Sequence, residues 1–134
     1  MQLTVTTNYA IRIILYLAET RRITTAGEIS EGTQIAKKSL LATANKLKKA
    51  NLIMGHMGVS GGYSLARAPE NITILEIIET TEGNAKISQC LESGVNCPWG
   101  KKKNCPLRGF YSEVQEELDS RFARMTIGAL MEEI

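Results

Sequence analysis

Along this chain, segments whose apolar positions recur at helical spacing are separated by short alternating or broken runs. Tyr9, Ala10, Ile13, Ile14 and Leu17 step by three and four, which predicts a helix over residues 7–20 with one apolar face. Arg21 and Arg22 follow at the end of that segment, where the helix dipole favours cations. Thr25 with Glu28 three residues on has the pattern of a capping box, in which two side chains satisfy unpaired N–H groups at a helix start. The short helix so opened carries Ile29 and ends around Gly32, and Ile35 is expected to be buried in the turn beyond it. A third helix is predicted over residues 37–50. Leu40, Ala44 and Leu47 form its inner stripe, leaving Lys38, Ser39, Ala42, Thr43, Asn45, Lys46 and Lys49 mainly for the other faces.

Residues 52–54 then read as a short strand, the glycine-rich stretch 56–62 as a tight hairpin loop, and residues 63–66 as the return strand, with Pro69 closing the unit. A second capping box, Thr73 with Glu76, opens a helix bearing Ile74, Leu75, Ile77 and Ile78 that stops before Gly83. Residues 84–105 have weak periodicity and contain Gly94, Pro98 and Gly100, so they read mainly as loop. From Pro106 a long helix returns, with Leu107, Tyr111, Val114, Leu118, Phe122 and Met125 as a stripe suited to packing on another helix. The fold class is therefore mainly α with a small β-hairpin wing. A winged helix-turn-helix is expected over residues 1–83, a cysteine-bearing loop over 84–105 and a dimerisation helix over 106–134. The six stripe residues are the expected interface of a homodimer, with packing of this face on its own domain as the other reading.

At 134 residues the chain is long enough for one domain with a real core, and 43% apolar with 22% charged residues excludes general disorder. The apolar run at residues 13–18 is far too short to span a bilayer, and the first residues lack the pattern of a secretion signal. A cytoplasmic protein without a membrane partner is expected. The net charge of +2 hides an asymmetry. Residues 33–68 hold Lys37, Lys38, Lys46, Lys48, Lys49 and Arg67 and no Asp or Glu, while the remainder carries ten cations against fourteen acids. Such a stretch suits either contact with a polyanion or a solvated lysine-rich face.

In a helix-turn-helix the second helix of the pair enters the major groove. Lysines there bind phosphates, and short polar side chains approach base edges. The candidate contacts to double-stranded DNA are Thr25, Lys37, Lys38, Ser39, Thr43, Asn45, Lys46 and Lys49, with His56, Met57, Ser60 and Gly61 from the wing. With one histidine, no nucleophile–base pair and no phosphate-binding loop, an enzyme is not expected.

Cys90, Cys97 and Cys105 fall within sixteen residues. An odd number without a secretion signal argues against a disulfide framework and suggests metal binding or thiol chemistry. Lys101, Lys102 and Lys103 beside them would favour the thiolate forms. Structural zinc prefers closely spaced cysteine pairs, which are lacking here, and three inert thiols in one exposed loop would invite oxidation.

Residues 53–67, with Gly61, Gly62 and Tyr63 at their centre, and residues 69–73 resemble the wing and following helix of the Rrf2 family of bacterial transcription regulators. So do Leu3-Thr4, Tyr9-Ala10 and the end of the third helix at Lys46 to Ala50. The resemblance covers essentially the whole chain. It implies a homodimer with a winged-helix DNA-binding domain and a long dimerisation helix, and a repressor is expected here rather than an activator. In several members it also implies an iron–sulfur cluster, 2Fe–2S or 4Fe–4S, held by three cysteines before the dimer helix. By that resemblance Cys90, Cys97 and Cys105 are the metal ligands, and gain, loss or oxidation of the cluster would reorder the loop and change the spacing of the recognition helices. Relatives draw a fourth ligand from an Asp at the position of Asn8 or a His at that of Arg108, and often carry an Arg where Met57 stands. The fourth ligand here is left open among Glu92, a partner-chain residue, a small thiol and water, and a labile cluster readily lost in air is expected. The rival expectation is a thiol or metal redox switch, or a cluster-handling protein, whose winged helix contacts another protein.

Overall fold

The structure is a computed structural model that describes residues 1–101 and 103–133. Helix α1 (Val5–Thr20) starts two residues before the predicted boundary because Thr4 caps it, its Oγ1 accepting from the Thr7 N–H at 3.3 Å. One face of α1 places Ala10, Ile13, Ile14, Leu17 and Ala18 out of solvent. Burying each of the larger of these contributes about 1.5–3 kcal/mol. α2, α3, α4, α6 and the hairpin all pack on this helix, so its apolar face organises the core.

Helix α2 (Ala26–Thr33) is capped by Thr25, whose Oγ1 accepts from the Glu28 N–H at 3.1 Å. The expected capping box is only half built, because the Glu28 carboxylate turns to the Arg22 guanidinium instead of back to the cap. Gly32 does not end the helix. Its missing side chain makes room for the Tyr16 ring, since a Cβ there would lie 2.2 Å from Tyr16 Cε2. The helix stops one residue later, and Gln34 follows in the left-handed region with φ 58°. Ile35 is buried as predicted.

Helix α3 (Lys37–Lys49) buries Leu40, Ala44 and Leu47 as the stripe required. Strands β1 (Ile53–His56) and β2 (Gly62–Leu65) pair antiparallel, Ile53 opposite Leu65 and His56 opposite Gly62. The first strand therefore lies further along than predicted, with buried Leu52 just ahead of it. The return strand begins one residue sooner than predicted, because Gly62 pairs as well. Gly62 also lets the hairpin close on the segment before α2, where a Cβ would lie 2.1 Å from the Thr24 carbonyl oxygen. Thr24 and Tyr63 consequently exchange both backbone hydrogen bonds, at 2.9 and 2.8 Å.

A 3-10 turn at Pro69–Asn71 leads into α4 (Ile74–Glu82), where the second capping box is complete. Residues 84–105 are mainly loop, as expected, with one 3-10 turn at Gln89–Leu91. Helix α5 (Pro106–Arg124) does not continue to the C-terminus. After Met125 the chain pairs with the approach to α4, through Ile74 N–H to Met125 O at 2.9 Å and Ile127 N–H to Ile72 O at 2.8 Å. It then forms α6 (Ile127–Met131), capped by Thr126, with Ile127 fully buried. The predicted stripe thus divides. Phe122 and Met125 pack on the core of their own chain, whereas Leu107 stays half exposed. Among the described residues no helix is long and apolar enough to cross a membrane.

The start of α1 and the end of α4 are tied together by Glu82. Its Oε1 accepts from the Thr7 hydroxyl at 2.5 Å and from the Thr4 N–H at 2.7 Å. The Thr7 hydroxyl, then the Thr4 amide, hold the Glu82 carboxyl below its ordinary range. The stabilisation is full above the unfolded carboxylate value near 4.5 and fades as pH falls through the lower folded value. Glu82→Gln is expected to lower stability by about 1 kcal/mol at pH 7, solvent screening considered. Urea unfolding of both proteins across pH checks this: the difference should close as the pH is lowered through the acid range.

Candidate nucleic-acid interface and cysteine pocket

Helix α3 presents a face on which Lys37, Lys38, Leu41, Ala42, Asn45, Lys46, Lys48 and Lys49 are exposed. It begins with no acid and ends with Lys46, Lys48 and Lys49 in its last turn, where cations suit the dipole. Ser39 is half buried at the edge of that face. Thr43 belongs to the core side instead: it is 3% exposed, and its hydroxyl donates to the Ser39 carbonyl at 2.8 Å. The prediction that Thr43 meets base edges is therefore corrected. Helical rotation turns position 43 inward beside Ala44 and turns Leu41 and Ala42 outward. Those two apolar residues, absent from the sequence-based set, suit contact with a thymine methyl group. Their signal was their offset from Lys38 and Asn45.

Thr25 is exposed, with its oxygen already accepting the α2 cap hydrogen bond. In the wing, Met57, Ser60 and the flanking Val59 are exposed and Gly61 is half buried. His56 is half buried and shares a 2.7 Å hydrogen bond between its Nε2 and Ser64 Oγ across the hairpin. It braces the wing from within. The Lys48 side chain lies along β1 at Gly55, bringing a cation of α3 onto the hairpin.

The second constellation is a cavity of about 440 Å³ lined by Cys90, Cys97 and Cys105 with Trp99, Arg108 and Tyr111. Cys90 stands in the Gln89–Leu91 turn, its Sγ 3.2 Å from Ser88 Oγ. Cys97 opens a turn closed by the Gly100 N–H on its carbonyl at 3.0 Å. Cys105 caps α5, its Sγ accepting from the Arg108 N–H at 3.4 Å. Arg108 also donates through Nε to the Cys90 carbonyl at 3.1 Å, so one residue links two cysteine-bearing segments. Its spacing of three from Cys105 is an N-terminal helix position, the one hint of this role in the sequence. Lys101 Nζ sits over the Trp99 ring at 4.9 Å, Lys103 is exposed, and Lys102 lies outside the described residues. Asn8 and Glu92 do not line the cavity.

Three cysteine thiols are the right donors for an iron–sulfur cluster. They share one cavity, yet among the described residues no three His, Cys, Asp or Glu side chains are gathered closely enough to hold a metal ion. The donor chemistry fits; to hold one cluster the three sulfurs would have to draw together.

A three-helix core whose third helix is cationic and free of acids, followed by a hairpin wing, defines a winged helix-turn-helix protein. Residues 3–133 match the family model described as Rrf2, iron-dependent transcriptional regulator, and the chain belongs to that family. It is 33% identical over 98 residues to the HTH-type transcriptional regulator NsrR of Shouchella clausii, covering 72% of this chain and 66% of that protein. The matched part thus spans just under two-thirds of that relative's length. The fold is shared with CymR, the global cysteine regulator of B. subtilis, at TM-score 0.81, 20% identity and coverage of 100% and 98% of the two chains. It is shared also with T. potens IscR, at TM-score 0.77, 18% identity and coverage of 99% and 88%. These relatives are transcription regulators rather than enzymes.

The reassignment of Thr43 is checked by Thr43→Val. This change should alter stability by about 1 kcal/mol, the net value of one buried hydrogen bond, and leave discrimination between duplex sequences unchanged. Thermal unfolding and competition binding measure the two effects separately.

Proposed function

We propose that this chain is a cytoplasmic, homodimeric transcription repressor that binds double-stranded DNA. In this reading its affinity is governed by an iron–sulfur cluster, or by the thiol state, at Cys90, Cys97 and Cys105. The observation that carries the DNA-binding part is the exposed face of α3, where Lys37, Lys38, Lys46 and Lys49 stand with no acid from residue 33 to 68. Lysines of this kind neutralise phosphates and release counterions, which makes affinity steeply salt-dependent. Asn45 and Ser39, with Leu41 and Ala42, then meet base edges.

Pairing of two copies through α5 is supported by what that helix leaves uncovered. It buries only Gln115 fully, while Leu107 and Phe110 are 50% and 59% exposed. Glu113, Glu116 and Glu117 lie toward its middle and Arg121 and Arg124 at its end, so two antiparallel copies that cross near residue 119 would place opposite charges together. A dimer of this form presents two α3 helices to half-sites about 34–36 Å apart.

The metal part of the proposal rests on the shared cavity of three cysteines and on the family's description as iron-dependent. A bound cluster supplies a redox-sensitive node. Cys90, Cys97 and Cys105 would hold it, Arg108 fixes the path of the Cys90 segment, and Trp99 and Tyr111 line the same cavity.

Lys38→Ala with Lys46→Ala should weaken binding to every duplex and reduce the slope of log affinity against log salt by about one unit for each phosphate left without its lysine. The same protein should sediment at twice the chain mass. Parent-like salt dependence in the double variant would remove α3 from the interface.

Anaerobic reconstitution with iron and sulfide should yield visible thiolate–iron absorbance and quench Trp99, the only tryptophan of the chain. Each Cys→Ser variant should lose both signals and change affinity for DNA. Absence of bound iron and sulfide in the reconstituted parent would end the metal part and leave the DNA-binding part standing.

A further inference from the structure

The tip of the hairpin is unlike the rest of the surface. Met57 and Val59 are 99% and 106% exposed; among the described large apolar side chains only the terminal Met1, at 96%, comes close. From residue 51 to 66 there is no Lys, Arg, Asp or Glu. An apolar tip held in water gives nothing to the stability of the chain that carries it, and such patches mark contact sites.

This tip is also stiff. The Gly61 N–H donates to the Gly58 carbonyl at 3.0 Å, and a Cβ on Gly61 would lie 2.4 Å from the His56 carbonyl oxygen. Gly58 has φ 100°, a conformation that other residues rarely adopt. Below the tip, His56 with Ser64 and Thr24 with Tyr63 pin the hairpin to itself and to the body. Lys48 along β1 makes the tip continuous with the cationic face of α3.

A rigid, uncharged point beside a phosphate-binding face has little to gain from phosphates. Apolar side chains of this kind act on DNA by entering the minor groove and partly unstacking a base step, which bends the duplex. We propose that Met57 and Val59 form an apolar wedge that enters the minor groove beside the segment held by α3 and kinks the DNA there. The proposal rests on the DNA-binding reading given above and specifies a second mode of contact within it. Pyrimidine–purine steps part most easily, so bound sites should carry TA or CA/TG at a fixed distance from each half-site.

Duplexes selected from a random-sequence pool by the unmodified protein provide the probe. End-to-end energy transfer on these duplexes should report a bend on binding. Met57→Ala with Val59→Ala should weaken binding about tenfold or more and reduce the bend. The salt slope should stay that of the parent, because every phosphate-binding lysine is left in place. Met57→Leu should retain both affinity and bend. The proposal is overturned if the double variant binds and bends as the parent does, or if its only change is in sedimentation mass, which would make the tip a contact between copies. If the unmodified protein selects no duplex, the DNA-binding reading falls and the wedge with it. If it selects duplexes but leaves them straight, the wedge alone falls.

Discussion

Everything else in this fold is placed by the burial of one side of α1. Five elements meet on Ala10, Ile13, Ile14, Leu17 and Ala18, and among the described residues no polar interaction binds as many parts together. The two ion pairs seen among those residues, Arg22 with Glu28 and Arg67 with Glu76, lie on the surface with all four side chains more than a third exposed, where solvent screening leaves them little weight. Their effect is directional. Arg22 draws Glu28 from its own helix cap, and Arg67 holds the Glu76 end of α4 to the chain leaving the wing.

Because the core is apolar and continuous, the polar constellations are confined to its rim, and they lie in different parts of the chain. The α3 face and the hairpin share an anchorage: Lys48 lies on β1, and Tyr63 bonds back to Thr24 beside the α2 cap. The cysteine cavity has a looser foundation. It is built from the loop after α4 and the first turn of α5, joined by hydrogen bonds from Arg108. Gln115 adds a further tie, accepting from the Ile87 N–H at 2.8 Å and donating to Ala85 O at 3.3 Å.

Much of this was legible in the sequence where a local rule decides the outcome. The stripe of α3, the complete cap at Thr73 and Glu76 and the burial of Ile35 follow from spacing alone. Errors arose where a distant partner overrode the local rule. Glu28 leaves its capping box for Arg22, and Gly32 serves the Tyr16 ring instead of a helix end. The end of α5 was missed for the same reason, since residues 125–127 pair with residues 72–74 over fifty positions away. Thr43 is a local case: beside Ala44 at the edge of the inner stripe, it turns inward and its hydroxyl bonds to the Ser39 carbonyl one turn back. Of the site, the cysteines and lysines are visible as residue types in a cluster. The bridging role of Arg108 needed the path of the chain.

Helix α5 is fastened differently at its two ends. At the C-terminal end, backbone bonds from Met125 and Ile127 and the buried Ile127 side chain fix it to the core, while at the other end Cys105 and Arg108 carry the load. Its nineteen residues make a rod about 28 Å long. Its stiffness links the two ends: a tilt of about 4° about the core end displaces the Cys105 end by about 2 Å. The thiol cavity and the core thus sit at opposite ends of one stiff element, so that a change of shape at the first appears as a change of angle at the second.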